Sequence, residues 1–202
     1  MDVSGWVWVL VLMLPPAILL TGIAAGYSAR QRQYDRLGAQ WGWLGGSTRK
    51  YGSGREWSGK VDGRDVSVQW FDRTTTVVVS ARPRVKIGFG LTDQPKQVVT
   101  EGADGGTSVR IEGQRVGYAA DGAEVGALAT QPGVEHALAA LLGRDGTSLR
   151  SVNVDPETGV TWLARNLSDH DIGPDDTRRW VDALIRVATA SERTVVVSAT
   201  GS

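Results

Sequence analysis

The pattern of hydrophobic and polar positions changes twice along the chain. From Trp6 to Tyr27 run 22 uncharged and mostly apolar residues. As a helix this run would span about 33 Å at about 1.5 Å per residue, close to the roughly 30 Å of a hydrocarbon core. A polar stretch follows, helix-compatible from Ser28 to Leu37 and then rich in Gly and Ser from Gly42 to Gly54. From Glu56 onward the apolar residues fall into a period of two. Trp57 to Val61 and Val66 to Trp70 flank Asp62-Gly63, a dipeptide suited to the positive φ angles of a tight hairpin. The β-branched run Thr74 to Val79 continues the meander, and Val85 to Leu91 supplies another strand. Two further hairpins are predicted: Ser108 to Glu112 with Arg115 to Ala119, and Leu149 to Val154 with Val160 to Ala164 across Asp155-Pro156-Glu157-Thr158-Gly159.

Helical periodicity returns at two places. Val134, Ala137, Leu138, Leu141 and Leu142 form an i, i+3, i+4 stripe with Pro132 before it and Gly143 after it. A second helix begins at Pro174, has Asp175 and Asp176 where the helix dipole favours carboxylates, and buries Trp180, Val181, Leu184, Ile185 and Ala188. Thr194 to Ala199 is β-prone. Successive hairpins with separate amphipathic helices, and no alternating βαβ units, define an α+β fold. The organisation expected is a transmembrane anchor at 1–27, a juxtamembrane helix and Gly/Ser/Trp linker at 28–54, and one α+β domain at 55–202.

Charge sharpens this picture. All 22 basic residues lie after position 29, and Asp2 is the one charge among the first 27 residues. A single span is therefore expected over 6–27, in contact with the lipid bilayer, with Trp6, Trp8, Tyr27 and Tyr34 at headgroup level and a kink at Pro15-Pro16. Arg30, Arg32 and Arg36 flank its C-terminal end, which by the positive-inside rule places the domain in the cytoplasm. The localisation expected is thus single-pass membrane. Gly22 and Gly26 provide a small-xxx-small spacing through which two such helices could approach as a homodimer. Two alternatives compete. A cleaved secretory signal would leave a periplasmic or secreted domain, but Met1 to Gly5 offers no basic n-region. A buried helix of a water-soluble protein would be shorter and more polar. Trp41 and Trp43 sit in the linker, where two indoles would either dock on the domain or touch headgroups.

Overall, 22 Lys+Arg balance 22 Asp+Glu, which excludes a strongly basic nucleic-acid binder. Zero cysteines exclude disulfides, thiolate zinc sites and thiol catalysis. Gly54 to Val61 reads GxxxxGK and then fails as a phosphate loop, because Val61 replaces the magnesium-binding Ser or Thr and a strand follows where a helix is needed. Gly52-Ser53-Gly54 and Gly88-Phe89-Gly90 lack the third glycine of a dinucleotide fingerprint. Of the two histidines, His136 falls on the polar side of its helix, whereas His170 sits in Asp169-His170-Asp171 ahead of Asp175 and Asp176. Oxygen and imidazole donors in so short a stretch could hold a divalent cation. A polar loop leading into a Gly-Pro helix start accounts for the same residues. No catalytic residue, cofactor site or metal site is assigned from the sequence.

One N-terminal span, a Gly/Trp linker, the strand pair carrying Gly59-Lys-Val-Asp-Gly-Arg-Asp-Val66, and the Val134 to Leu142 helix before a late hairpin and helix together resemble an uncharacterised family of bacterial membrane-anchored proteins. In such families a Gly-Arg-x-Val element follows the first strand, as Gly63 to Val66 does here. The resemblance implies no activity, cofactor or catalytic residue. The functional expectation is a membrane-anchored, non-catalytic binding or accessory module with a protein partner. The alternative is a metal-assisted hydrolase using Asp169, His170 and Asp171.

Overall fold

Asp62 and Gly63 have positive φ angles of 50° and 77°, the left-handed pair that a two-residue hairpin requires. In the structure, a computed structural model, they join β2 (Gly54–Val61) to β3 (Arg64–Phe71). The described residues are 3–51, 54–71, 73–91, 108–111, 114–119, 127–129, 131–143, 149–165 and 172–194. They fall into two compact units, 1–39 and 40–202.

The first unit is the bulk of α1 (Val3–Trp41), which runs on from the apolar segment through the expected helical stretch 28–37. Among the described residues, no helix is long and apolar enough to cross a membrane. This corrects the expected transmembrane helix over 6–27, and with it the single-pass topology, the membrane localisation and the cytoplasmic placement of the domain. From Thr21 onward α1 carries Arg30, Arg32, Asp35 and Arg36 within two turns, and charges at that density keep this part of the helix out of hydrocarbon.

The second unit contains a nine-stranded sheet, antiparallel at every pairing, in the order β1-β2-β3-β4-β9-β8-β5-β7-β6. The remaining strands are β1 (Thr48–Tyr51), β4 (Thr74–Val79), β5 (Ile87–Leu91), β6 (Ser108–Ile111), β7 (Gln114–Ala119), β8 (Leu149–Asp155) and β9 (Gly159–Arg165). Residues 48–51, which composition places in a linker, form the edge strand β1. Every expected hairpin is present and the fold class is α+β. The β-prone segment after Thr194 and the Asp169-His170-Asp171 cluster lie outside the described residues.

Period-two alternation gives the sheet two unlike faces. Val66, Val68 and Trp70 of β3 stand opposite Val79, Val77 and Thr75 of β4, which in turn face Val160, Trp162 and Ala164 of β9. Ile87 and Phe89 continue this layer through Val154 and Val152. All of these side chains are buried. The helices α2 (Val134–Leu142) and α3 (Pro174–Arg193) cover that face, α2 against β8 and α3 against β4 and β9. Trp162 anchors both: its Nε1–H donates to the Leu141 carbonyl at 2.8 Å, and its ring lies 4.9 Å from that of Trp180. The Arg150 guanidinium sits 5.5 Å from the Trp180 ring centre, adding a cation–π contact to the cluster.

Candidate functional site

The face of the sheet opposite α2 and α3 is mostly polar, because the positions between the buried residues are Ser58, Ser67, Gln69, Thr76, Thr161 and Asn153, with Val78 and Leu163 among them. Near the β2–β3 turn this face deepens into an open groove of about 740 Å³. One wall is the segment Leu44 to Ser47, which follows the short 3-10 turn Gly42–Leu44. The floor is Ser58, Lys60, Asp65, Ser67, Val78 and Ser80, and Thr158 of the β8–β9 turn lines it as well.

The wall stays close because two glycines allow it. A Cβ on Gly46 would lie 1.8 Å from the Ser58 carbonyl oxygen, and one on Gly59 would lie 2.2 Å from that of Leu44. The Ser58 N–H donates to the Ser47 carbonyl at 2.9 Å, and the two hydroxyls share a hydrogen bond of 2.8 Å. On the far side, the Ser80 N–H donates to the Asp65 carbonyl and the Asp65 N–H donates to Ser80 Oγ. Lys60 and Asp65 form an ion pair at 3.5 Å, each with 73% of its side chain exposed.

The wall segment is tied down at its other end by Thr177, in the first turn of α3. Trp43 Nε1–H donates to Thr177 Oγ1 at 2.8 Å, and that hydroxyl donates in turn to the carbonyl of Gln40 at 2.8 Å or of Pro174 at 2.9 Å. Gln40 Nε2 donates to the Ile172 carbonyl, and the Arg178 guanidinium lies 5.4 Å from the Trp43 ring centre. Of the two destinations expected for Trp43, the structure therefore shows docking on the domain. Asp176 accepts a hydrogen bond from the Gly173 N–H, and this together with its ion pair to Arg179 holds its carboxyl below the usual carboxylate range.

No protein-family model matches the chain, and no curated protein matches it. Among solved structures, the chain is similar to the mycobacterial trehalose monomycolate transport factor A, TtfA. Identity is 11% and the TM-score 0.45, over 69% of this chain and 74% of that one. A likeness at this level carries no argument about function.

The other motifs resolve as follows. Gly54 to Val61, the GxxxxGK segment, is strand β2 with a partner on each side, so its backbone N–H groups serve the sheet and form no phosphate loop. Gly88-Phe89-Gly90 lies within β5. His136 is exposed on α2. Among the described residues, no group of three or more His, Cys, Asp or Glu side chains is placed to hold a metal ion. The hydroxyl-lined groove was missed in the sequence because Ser47, Ser58, Ser67 and Ser80 come from four segments. The available signal was the repeated Ser at the polar positions of β2 and β3, in the pattern Trp57-Ser58-Gly59 and Val66-Ser67-Val68.

Proposed function

We propose that the chain is a non-catalytic binding or accessory module that uses the sheet face opposite α2 and α3 to hold a polar ligand in the groove between Leu44–Ser47 and strands β2 to β4. The single observation that carries this reading is the groove itself. A wall held by close glycine contacts and by the Thr177 cluster faces a floor of hydroxyls that rigid strands present in fixed register. A site built on strands is more precisely positioned than one built on loops.

The same geometry favours binding over bond-breaking. Ser47 Oγ is bonded to Ser58 Oγ, and Ser80 Oγ accepts from a backbone N–H. Neither bond supplies the general base that a nucleophilic serine needs. Asp65, the acid in the groove, is paired with Lys60 and open to water, the opposite of the desolvated setting that tunes a catalytic carboxyl.

The test is to incubate the full chain with a cell extract, remove unbound material by gel filtration, and identify retained molecules by mass spectrometry. A parallel sample carries Ser67→Trp, which fills the groove from an outward-facing strand position. Far-UV circular dichroism and thermal unfolding establish that the variant is folded. A molecule retained by the wild type and lost in Ser67→Trp supports the proposal. Identical retention by both proteins refutes it.

A further inference from the structure

The chemistry of the groove narrows the ligand, on the assumption that the groove is the binding site. We infer that it takes a neutral polyhydroxylated molecule, a mono- or oligosaccharide, in preference to a charged group.

Charge balance comes first. Lys60 and Asp65, the two charged residues lining the groove, lie 3.5 Å apart, so their fields cancel at short range. A phosphate or carboxylate approaching the ammonium meets the carboxylate beside it, and an amine meets the reverse. A ligand hydroxyl gains from both, accepting from the Lys60 ammonium and donating to the Asp65 carboxylate.

Hydroxyl spacing points the same way. Ser58 and Ser67 are opposed across β2 and β3, where directly paired side chains have Cβ atoms about 4.5–5.5 Å apart. Ser47 extends the row on the side of β2 away from β3, its Oγ 2.8 Å from that of Ser58. Each hydroxyl is both donor and acceptor, which matches a ligand whose own groups are both, repeated over a similar distance. A sugar ring has that property, whereas an ionised phosphate is chiefly a charged acceptor. At the β4 end of the row, Val78, the direct partner of Ser67, gives the floor an apolar edge suited to the C–H face of a ring. The volume of about 740 Å³ accommodates a mono- or disaccharide.

The test is an amide chemical-shift titration of the full chain with maltose and, separately, with inorganic phosphate, at low and high salt. The expected result is that maltose shifts the amides of Ser47, Ser58 to Lys60 and Asp65 to Ser67, with an affinity insensitive to salt. Ser67→Ala should weaken maltose by about fivefold, the effect of one net hydrogen bond, and Ser58→Ala by a similar factor. Salt-sensitive phosphate binding at these amides without maltose binding would overturn the ligand class and leave the groove standing as a binding site. Maltose shifts elsewhere, or unaltered affinity in both serine variants, would overturn the inference. If neither probe moves the groove amides, the inference fails. The extract experiment then decides whether the binding role fails with it, according to whether Ser67→Trp still abolishes retention.

Discussion

The interaction between Arg64 and Glu192 gives the most quantitative prediction. Arg64, the first residue of β3, reaches across to the last turn of α3. Its Nη1–H and Nη2–H groups donate to the two carboxylate oxygens of Glu192 at 3.0 and 2.7 Å, and further donate to the Ser80 carbonyl and Thr189 Oγ1. The Arg82 N–H also donates to Glu192, at 2.9 Å. The side chains are 20% and 30% exposed. The Arg64 guanidinium and the Arg82 N–H together lower the Glu192 pKa from 4.5 to about 2, against the opposing effect of burial. Taken wholly as native-state free energy, that drop corresponds to roughly 3 kcal/mol, and solvent screening at a partly exposed pair reduces it to about 1–2 kcal/mol.

The perturbation is Glu192→Gln, which keeps the shape and removes the charge. Because the folded pKa is depressed, the contribution is complete above pH 4.5 and is lost as pH falls from 4.5 to about 2. At neutral pH the variant should therefore lose about 1–2 kcal/mol in urea unfolding, and about 2–8 °C in thermal midpoint. As pH falls towards about 2 the two proteins should converge. Asp155 and Asp176 also have lowered pKa values. Their protonation destabilises both proteins alike, so the difference between wild type and variant isolates Glu192. The reasoning is refuted if the gap is absent at neutral pH, or if it persists unchanged at the acid end.

Other substitutions test the parts of the fold that hold the groove and the core. Trp162→Phe removes the donor to the Leu141 carbonyl and should cost about 1–3 kcal/mol in denaturant unfolding, because that carbonyl is left buried without its partner. Leu184→Ala, at a fully buried position of α3, should cost about 2–5 kcal/mol. Gly59→Val should displace the Leu44–Ser47 wall, since even a Cβ falls 2.2 Å from the Leu44 carbonyl oxygen, and hydrogen exchange should quicken at the Ser58 amide. Thr177→Val removes the acceptor of Trp43 and the donor to Gln40. It should redden the Trp43 emission, read in a background where the other tryptophans are held constant, and unchanged emission would count against the docked indole.

Much of the fold follows from short-range patterns in the chain. Asp62-Gly63 specifies its hairpin because few other dipeptides reach two successive positive φ angles without strain. The Asp155 to Gly159 turn is equally local: Asp155 Oδ1 accepts from the Glu157 N–H at 2.8 Å, two residues away. The α2 stripe and the Pro174 start of α3 are likewise legible because period and terminus signals sit within one or two turns. The apolar run at 6–27 misled for the same reason. Its length and lack of charge match a membrane span when read by themselves, whereas among the described residues no helix is long and apolar enough to cross a membrane.

Pairing beyond neighbouring hairpins depends on the tertiary structure. The β8–β9 hairpin, late in the chain, enters the middle of the sheet by joining β4 on one side and β5 on the other. Nothing near residues 149–165 encodes that choice. It follows from the need to bury Trp162 and its valine neighbours under α2 and α3 while completing the hydrogen bonds of two otherwise exposed strand edges. The groove depends on the same assembly, since its serines lie far apart in sequence and adjoin only once β1 to β4 are in register and Thr177 has fixed the Gln40–Ser47 segment. Residue patterns a few positions long are read by local sterics and periodicity, whereas a site made of four segments exists only after the long-range burial that brings them together.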